Sequence, residues 1–294
     1  MAVITQAEFQ RRMTQRKWRG HIFHALCLMA TLVGLVMLGA LLYNVLSQGL
    51  GMLDWDFITS FPSRFPERAG IQAALLGSIY VVVIAGSLSF ILGVGAAIYL
   101  EEYATHSRLA SIIQTNIANL AGVPSIVYGI LGLEIFVRSL GLGKSVIAGG
   151  LTLALLVLPI VIIVAEEAIR AVPPSIREGG YALGATRWQT IWHLVLPQAF
   201  PGILTGVILA VSRAIGETAP LIVMGALTFV PFSPDGLFSR FTVLPIQIFN
   251  WVSRPQEGFH EAAAAGIIVL LILLLSMNAV AIFLRNKFQK RLKG

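Results

Sequence analysis

Charge is scarce in this chain. Only 12% of its 294 residues are Asp, Glu, Lys or Arg, against 56% hydrophobic, where a soluble domain carries about 25% charged residues. A polar-coated soluble core is therefore excluded. Cysteine is nearly absent too. Cys27 stands alone, so no intrachain disulfide can form and a thiolate metal site is poorly served. No phosphate-cradling G-x-x-x-x-G-K-[ST] loop occurs; Gly143-Lys144-Ser145 comes nearest, but its leading glycine would fall at Arg138. His260-Glu261 opens like a zinc-protease H-E-x-x-H and then meets Ala264. Ser, His and Asp form no catalytic frame, and no soluble domain, low-complexity tract or short-period repeat interrupts the chain.

What the chain has is long apolar runs, near residues 22–46, 72–100, 109–137, 145–167, 198–227 and 262–284. A hydrocarbon layer of about 30 Å needs about 20 apolar residues in a helix rising about 1.5 Å each. A helix also pairs its own backbone groups, which lipid cannot do. The runs predict an all-α membrane protein with about six transmembrane helices. The first, Ile22 to Leu46, is too long for a signal-peptide core and reads as a retained helix.

The net charge of +7 is concentrated at the ends. Arg11, Arg12, Arg16, Lys17 and Arg19 precede the first run; Arg285, Lys287, Lys290, Arg291 and Lys293 follow the last. Such flanks mark the cytoplasmic side and favour anionic lipid rather than nucleic acid. Both termini are then cytoplasmic: a basic segment 1–21 and a basic tail 285–294 bracket a membrane domain over 22–284. Segments 48–71 and 228–261 fall outside, with Arg138 and Lys144 mildly against the positive-inside rule. Gly77, Gly86, Gly93 and Gly95 predict close helix packing. Trp18, Trp55 and Trp251 suit interfacial belts, and Glu166 with Arg170 reads as a surface pair four residues apart.

The one sizeable cytoplasmic element is the loop 168–197. Ser175 followed by Glu178 is a capping-box pattern that starts a helix at Ile176, and Thr186 with Gln189 is a second. Gly184 between them supplies the left-handed residue that ends the first helix. The result is a helix–turn–helix with Tyr181, Leu183, Trp188, Ile191 and Trp192 as apolar surface. That surface either tucks against the membrane interface or fits a groove on another protein.

Glu178-Gly179-Gly180, then Gly184, then Leu194-Val195-Leu196-Pro197 resembles the EAA loop of ABC importer permeases. Glu178, Gly184, Leu196 and Pro197 match at full spacing; Gly179 and Gly180 replace two alanines and Leu194 replaces isoleucine. The resemblance implies a type I-like permease whose loop is a coupling helix docked on an ATPase subunit. It implies no cofactor bound by this chain, ATP being used by the partner.

Deep in the fifth run lies Ser212-Arg213-Ala214-Ile215-Gly216-Glu217-Thr218-Ala219-Pro220. An intramembrane arginine costs about 3 kcal/mol or more unless paired or wet, and Glu217, four residues on, can pair with it. That pair either locks helix packing or holds an anion-contacting guanidinium, whose forked donors suit an oxyanion. Pro124 breaks or kinks the third run, with Asn116, Asn119 and Ser125 as nearby polar residues.

The stretch around Arg213, with Gly122-Val123-Pro124-Ser125-Ile126-Val127-Tyr128-Gly129, resembles permeases of the phosphate-specific transport system. Thr218-Ala219-Pro220 looks closer to the A-type subunit than to its C-type partner. The resemblance spans most of residues 70–285 and implies phosphate as cargo, with Arg213, Glu217, Asn119 and Ser125 along its path. Implied partners are two ATP-binding subunits, a homologous C-type permease and an external phosphate-binding protein. Another oxyanion or small solute remains an alternative cargo. An intramembrane enzyme would need a catalytic set that Glu134 and Glu217 do not form, and a stand-alone channel would leave the two capping boxes without purpose.

Overall fold

The computed structural model describes residues 6–104, 107–226 and 229–291, and every regular element among them is helical. Long apolar helices are α1 (Gln6–Gly49), α3 (Gln72–Ile98), α6 (Val146–Arg170), α9 (Leu196–Gly216) and α12 (Glu257–Arg291). The short ones are α2 (Trp55–Thr59), α4 (Arg108–Ala121), α5 (Ser125–Gly132), α7 (Pro174–Ala182), α8 (Arg187–Thr190), α10 (Ala219–Met224) and α11 (Leu244–Val252). Three π turns extend or join them: Tyr99–Tyr103 after α3, Leu133–Ser139 after α5, and Ile191–Val195 between α8 and α9. Five stretches are long and apolar enough to cross a membrane, and a sixth crossing follows if α4 and α5 count as one bent span.

Helix α6 is the axis of the bundle. Its apolar window is 67% buried, against none of the corresponding window of α1. Leu153, Val157 and Val161 of α6 pack with Val81 and Ala85 of α3 and with Ala210 and Ala214 of α9. Small residues make that approach possible, since lipid supplies no hydrophobic drive between helices and packing must do the work. A Cβ on Gly93 would lie 2.6 Å from Val161 Cγ1, and one on Gly150 2.5 Å from Ile84 Cγ2. At Gly77 it would collide with the Thr242 carbonyl, and at Gly86 it would press on Val211. Gly95 departs from the expectation of close packing: open space surrounds its missing Cβ.

The third run is broken rather than kinked. Helices α4 and α5 meet at 102° across Gly122-Val123-Pro124. Gly122 N–H and Val123 N–H turn back to the carbonyls of Asn119 and Leu120, Pro124 has no N–H to give, and Tyr128 Oη donates to Leu120 O at 2.7 Å. These bonds satisfy several of the backbone groups that the break frees, which a membrane interior makes costly to leave unpaired.

At the end of the bundle where α3, α6 and α12 begin, the connecting segments form a lobe of their own. Asp54 caps α2 by accepting from Phe57 N–H at 2.6 Å, and Phe57, Ile71, Trp251, Phe259 and Ala262 share one core. Trp251 is fully buried there, its ring 5.8 Å from that of Phe57, so it is no interfacial anchor. Trp18 and Trp55 are exposed, as a belt position requires.

The expected Glu166–Arg170 pair does not form. Arg170 turns instead to Glu101, 2.7 Å away, and the buried Glu166 accepts from Gln114 Nε2. Residues of the π turn after α3 and of α4 claim each of them in place of the other.

Candidate functional site

The loop between α6 and α9 folds into a two-helix elbow. Helix α7 starts two residues earlier than the sequence predicts, at Pro174 instead of Ile176. Pro174 takes the first helical position, where its fixed φ and missing N–H cost nothing. Pro173 becomes the N-cap with no side-chain cap, so the Ser175–Glu178 capping box is not made. The second box is made. Gln189 N–H donates to Thr186 Oγ1 at 3.3 Å, and Thr186 N–H donates to Gln189 Oε1 at 2.9 Å.

Gly184 joins the two helices with φ +82°. Its N–H reaches Tyr181 O at 2.9 Å, and Ala185 N–H reaches Gly180 O at 3.1 Å. This pair of bonds is a Schellman motif, which demands a left-handed residue between them. Gly180 is buried where α7 closes on the next helix: a Cβ there would lie 2.9 Å from Leu194 Cδ1 and Thr190 Oγ1. Gly179 and Glu178 face outward.

Beyond the elbow the chain does not stop at Pro197. The π turn Ile191–Val195 widens the helix just where the proline ring and its missing N–H would break an α ladder. Leu194, Leu196 and Pro197 therefore sit inside one continuous helical stretch, Arg187–Gly216, rather than at a boundary before a span beginning at residue 198. On the elbow's outer surface Trp188 and Trp192 stack at 5.6 Å and 16°, and Leu183 is 90% exposed. Trp188 and Trp192 are themselves more than half exposed, so the patch is largely uncovered among the described residues.

At the other end of that stretch, α9 stops at Gly216. Glu217 is extended, and the chain restarts as α10 with Pro220 in its first turn. The expected run 198–227 is thus interrupted at Glu217-Thr218. Arg213 Nε lies 3.4 Å from Glu217 Oε1; the arginine side chain is 49% exposed, the glutamate 17%. The carboxylate backs the guanidinium and leaves half of it open. Helix α10 packs against α5, with a Cβ on Gly129 placed 2.7 Å from Pro220 Cα. The two interrupted segments, around Pro124 and around Glu217, meet through this contact.

Asn119 and Ser125 flank the α4–α5 break, Asn119 exposed and Ser125 half-buried. Among the described residues neither hydrogen-bonds to Arg213 or Glu217, and Asn116 donates to Ile112 O within its own helix. Sequence reasoning missed Glu101, Glu102 and Arg177. The one signal was a pair of adjacent carboxylates ending an apolar run. Among the described residues no group of three or more His, Cys, Asp and Glu could hold a metal ion.

Residues 89–294 match the family described as binding-protein-dependent transport system inner membrane component. The chain belongs to that family. As an ABC importer permease component, it shares a scaffold that lacks a catalytic site of its own. Among its relatives is a probable ABC transporter permease protein, YqgI, of Bacillus subtilis, 34% identical over 90% of this chain and 94% of the relative. Phosphate transport system permease protein PstA of Haemophilus influenzae is 32% identical over 94% of this chain and 96% of its own length. PstA 1 of Mycobacterium tuberculosis (strain H37Rv) is 32% identical over 86% and 83%. The fold of this permease also matches the inward-facing MetNI methionine ABC transporter, with a TM-score of 0.60, 16% identity, and 73% and 94% of the two chains covered.

Proposed function

We propose that this permease translocates inorganic phosphate, driven by an ATPase that docks on the elbow. The phosphate reading rests on Arg213: a half-open guanidinium deep in the fifth span, backed by Glu217 where two broken helices meet. A planar fork of donors fits a tetrahedral oxyanion, and a backing carboxylate tempers its grip so that cargo can leave. Relatives named as phosphate transport permeases support the same cargo.

The docking reading rests on the elbow. Glu178, Gly179, Gly180, Gly184, Leu194, Leu196 and Pro197 form or brace a rigid ledge, with Trp188, Trp192 and Leu183 uncovered on it. An uncovered aromatic patch of this kind fits a groove on another protein. The elbow then faces the cytoplasm, as do both termini. Two ATP-binding subunits hydrolyse ATP, this chain binds no cofactor, and an external phosphate-binding protein delivers cargo. A C-type permease completes the pair; the unburied apolar window of α1 leaves ample surface for it and for lipid.

Reconstitution with those partners in proteoliposomes tests the cargo. ATP-driven uptake of radiolabelled phosphate is expected, with Arg213→Ala lowering it at least tenfold while assembly persists. Normal uptake in Arg213→Ala would reduce that residue to packing. Uptake of sulfate in place of phosphate would move the cargo to another oxyanion.

A further inference from the structure

The π turn Tyr99–Tyr103 that ends α3 makes three consecutive contacts with the elbow and its root. Glu101 receives two arms of Arg170, at the end of α6, at 2.7 and 3.1 Å. Glu102 Oε1 receives Nη2 and Nε of Arg177, on α7, at 2.7 and 3.0 Å. The ring of Tyr103 lies 5.0 Å beneath the guanidinium of Arg187, at the start of α8. Consecutive residues of so wide a turn point roughly 80° apart. Three successive contacts therefore mean that α6, α7 and α8 surround the end of α3 rather than touch one side of it.

The middle contact differs from its neighbours. Glu102 is 4% exposed, whereas the Arg170 side chain is 60% exposed, where water screens a salt bridge and weakens it. Arg177 also donates to Val172 O at 2.7 Å and Ile169 O at 3.0 Å. Ile169 lies in the last turn of α6 and Val172 two residues beyond it, so both bonds fall where a helix end leaves carbonyls short of partners along its own helix. One mostly buried guanidinium thus ties the end of α3 to α6 and α7. Charge-assisted, forked bonds resist shear better than apolar contact does, because their geometry is directional.

We propose that the Glu102–Arg177 junction makes the elbow and α3 one moving body, with both residues positioning the coupling helix for force transfer. This rests on the reading of the elbow as an ATPase dock. A loose junction would let the elbow swing while α3 stayed still, and ATP would be hydrolysed without transport.

The test uses the complete transporter, assembled with its ATPase subunits, second permease and binding protein. With Cys27→Ser as background, nitroxide labels go on Gly95→Cys of α3 and Ser175→Cys of α7, both exposed positions. The expected distance distribution is narrow and the same with and without ATP. Glu102→Gln is expected to broaden it and to cut the phosphate moved per ATP at least fivefold, with the ATPase still co-purifying. Glu101→Gln should change that ratio less than twofold. Arg177→Lys, which keeps the charge but not the fork, serves if Glu102→Gln fails to fold, and should show the same uncoupling. An unchanged distribution in Glu102→Gln, or uptake and hydrolysis falling together at constant ratio, overturns the junction's role. If the unmodified chain binds no ATPase, the docking reading falls and this inference with it. ATPase binding without phosphate uptake sinks the cargo alone, and the label distances then decide the junction.

Discussion

The carbonyl oxygen of Thr242 occupies the space that a Cβ on residue 77 would need. Helix α3 therefore lies flush against the backbone that leads into α11, and Ser78, the next residue, accepts from Leu244 N–H at 2.8 Å. Gly77→Ala has no side chain to push aside, only backbone. It is expected to destabilise by about 1–3 kcal/mol. Gly95→Ala, in open space on the same helix, is expected to be neutral or to gain up to about 1 kcal/mol from helix propensity. Thermal melts of the two variants in one detergent check the contrast; equal melting temperatures would contradict it.

Trp251 stabilises the lobe by bulk alone. Its Nε1 is buried and meets no hydrogen-bond partner among the described residues. Trp251→Ala should cost about 3–5 kcal/mol, while Trp251→Phe, which drops the stranded N–H, should cost less than about 1.5 kcal/mol. A Phe variant as unstable as the Ala variant would show that the indole nitrogen is bonded after all. Denaturant titration followed by tryptophan fluorescence is blind at this position, so heat scanning by calorimetry is the measurement.

Two effects separate at Gly184. Its φ of +82° penalises any other L-residue by about 1–2 kcal/mol, with asparagine the least affected. A Cβ there meets nothing within 4 Å among the described residues, so Gly184→Ala and Gly184→Leu should lose similar stability. Co-purification of the ATPase should discriminate between them: retained in Gly184→Asn and Gly184→Ala, lost in Gly184→Leu. Full retention with leucine would remove the elbow's turn from the docking surface.

Glu166 offers a double-mutant cycle. Gln114→Leu alone strands a buried carboxyl and should cost about 1–3 kcal/mol. Adding Glu166→Leu removes the stranded group, and the double variant should recover most of the loss. Additive losses in the melt would show that each residue acts through other neighbours.

The sequence carried the helices because apolar runs of span length have few other solutions. It carried the elbow because Thr186, Gln189 and Gly184 act through bonds to their own neighbours in the chain. Where a tertiary partner or competing local chemistry decides, pattern failed. Ser175 and Glu178 match a capping box, yet Pro174 fits the first helical position better and displaces the cap. Pro124 announces a disturbance, but neither the 102° turn nor the bond from Tyr128 back to Leu120 that spans it is written in the local pattern. Trp251 has the composition of an interfacial anchor, and only the folding of α11 against α2 and α12 buries it. Arg170 and Glu166 are correctly spaced for each other and are claimed by Glu101 and Gln114 instead. The pairing of Arg213 with Glu217 was legible from spacing, though the helix ends between them.

The π turn at Ile191–Val195 has a mechanical corollary. Because it widens the helix without cutting it, the 30 residues from Arg187 to Gly216 form a single rod, roughly 45 Å long. Its two tips are the stacked tryptophans and the half-open guanidinium. A seesaw of about 5° around its middle would carry each tip about 2 Å in opposite directions, with no relay of side chains in between.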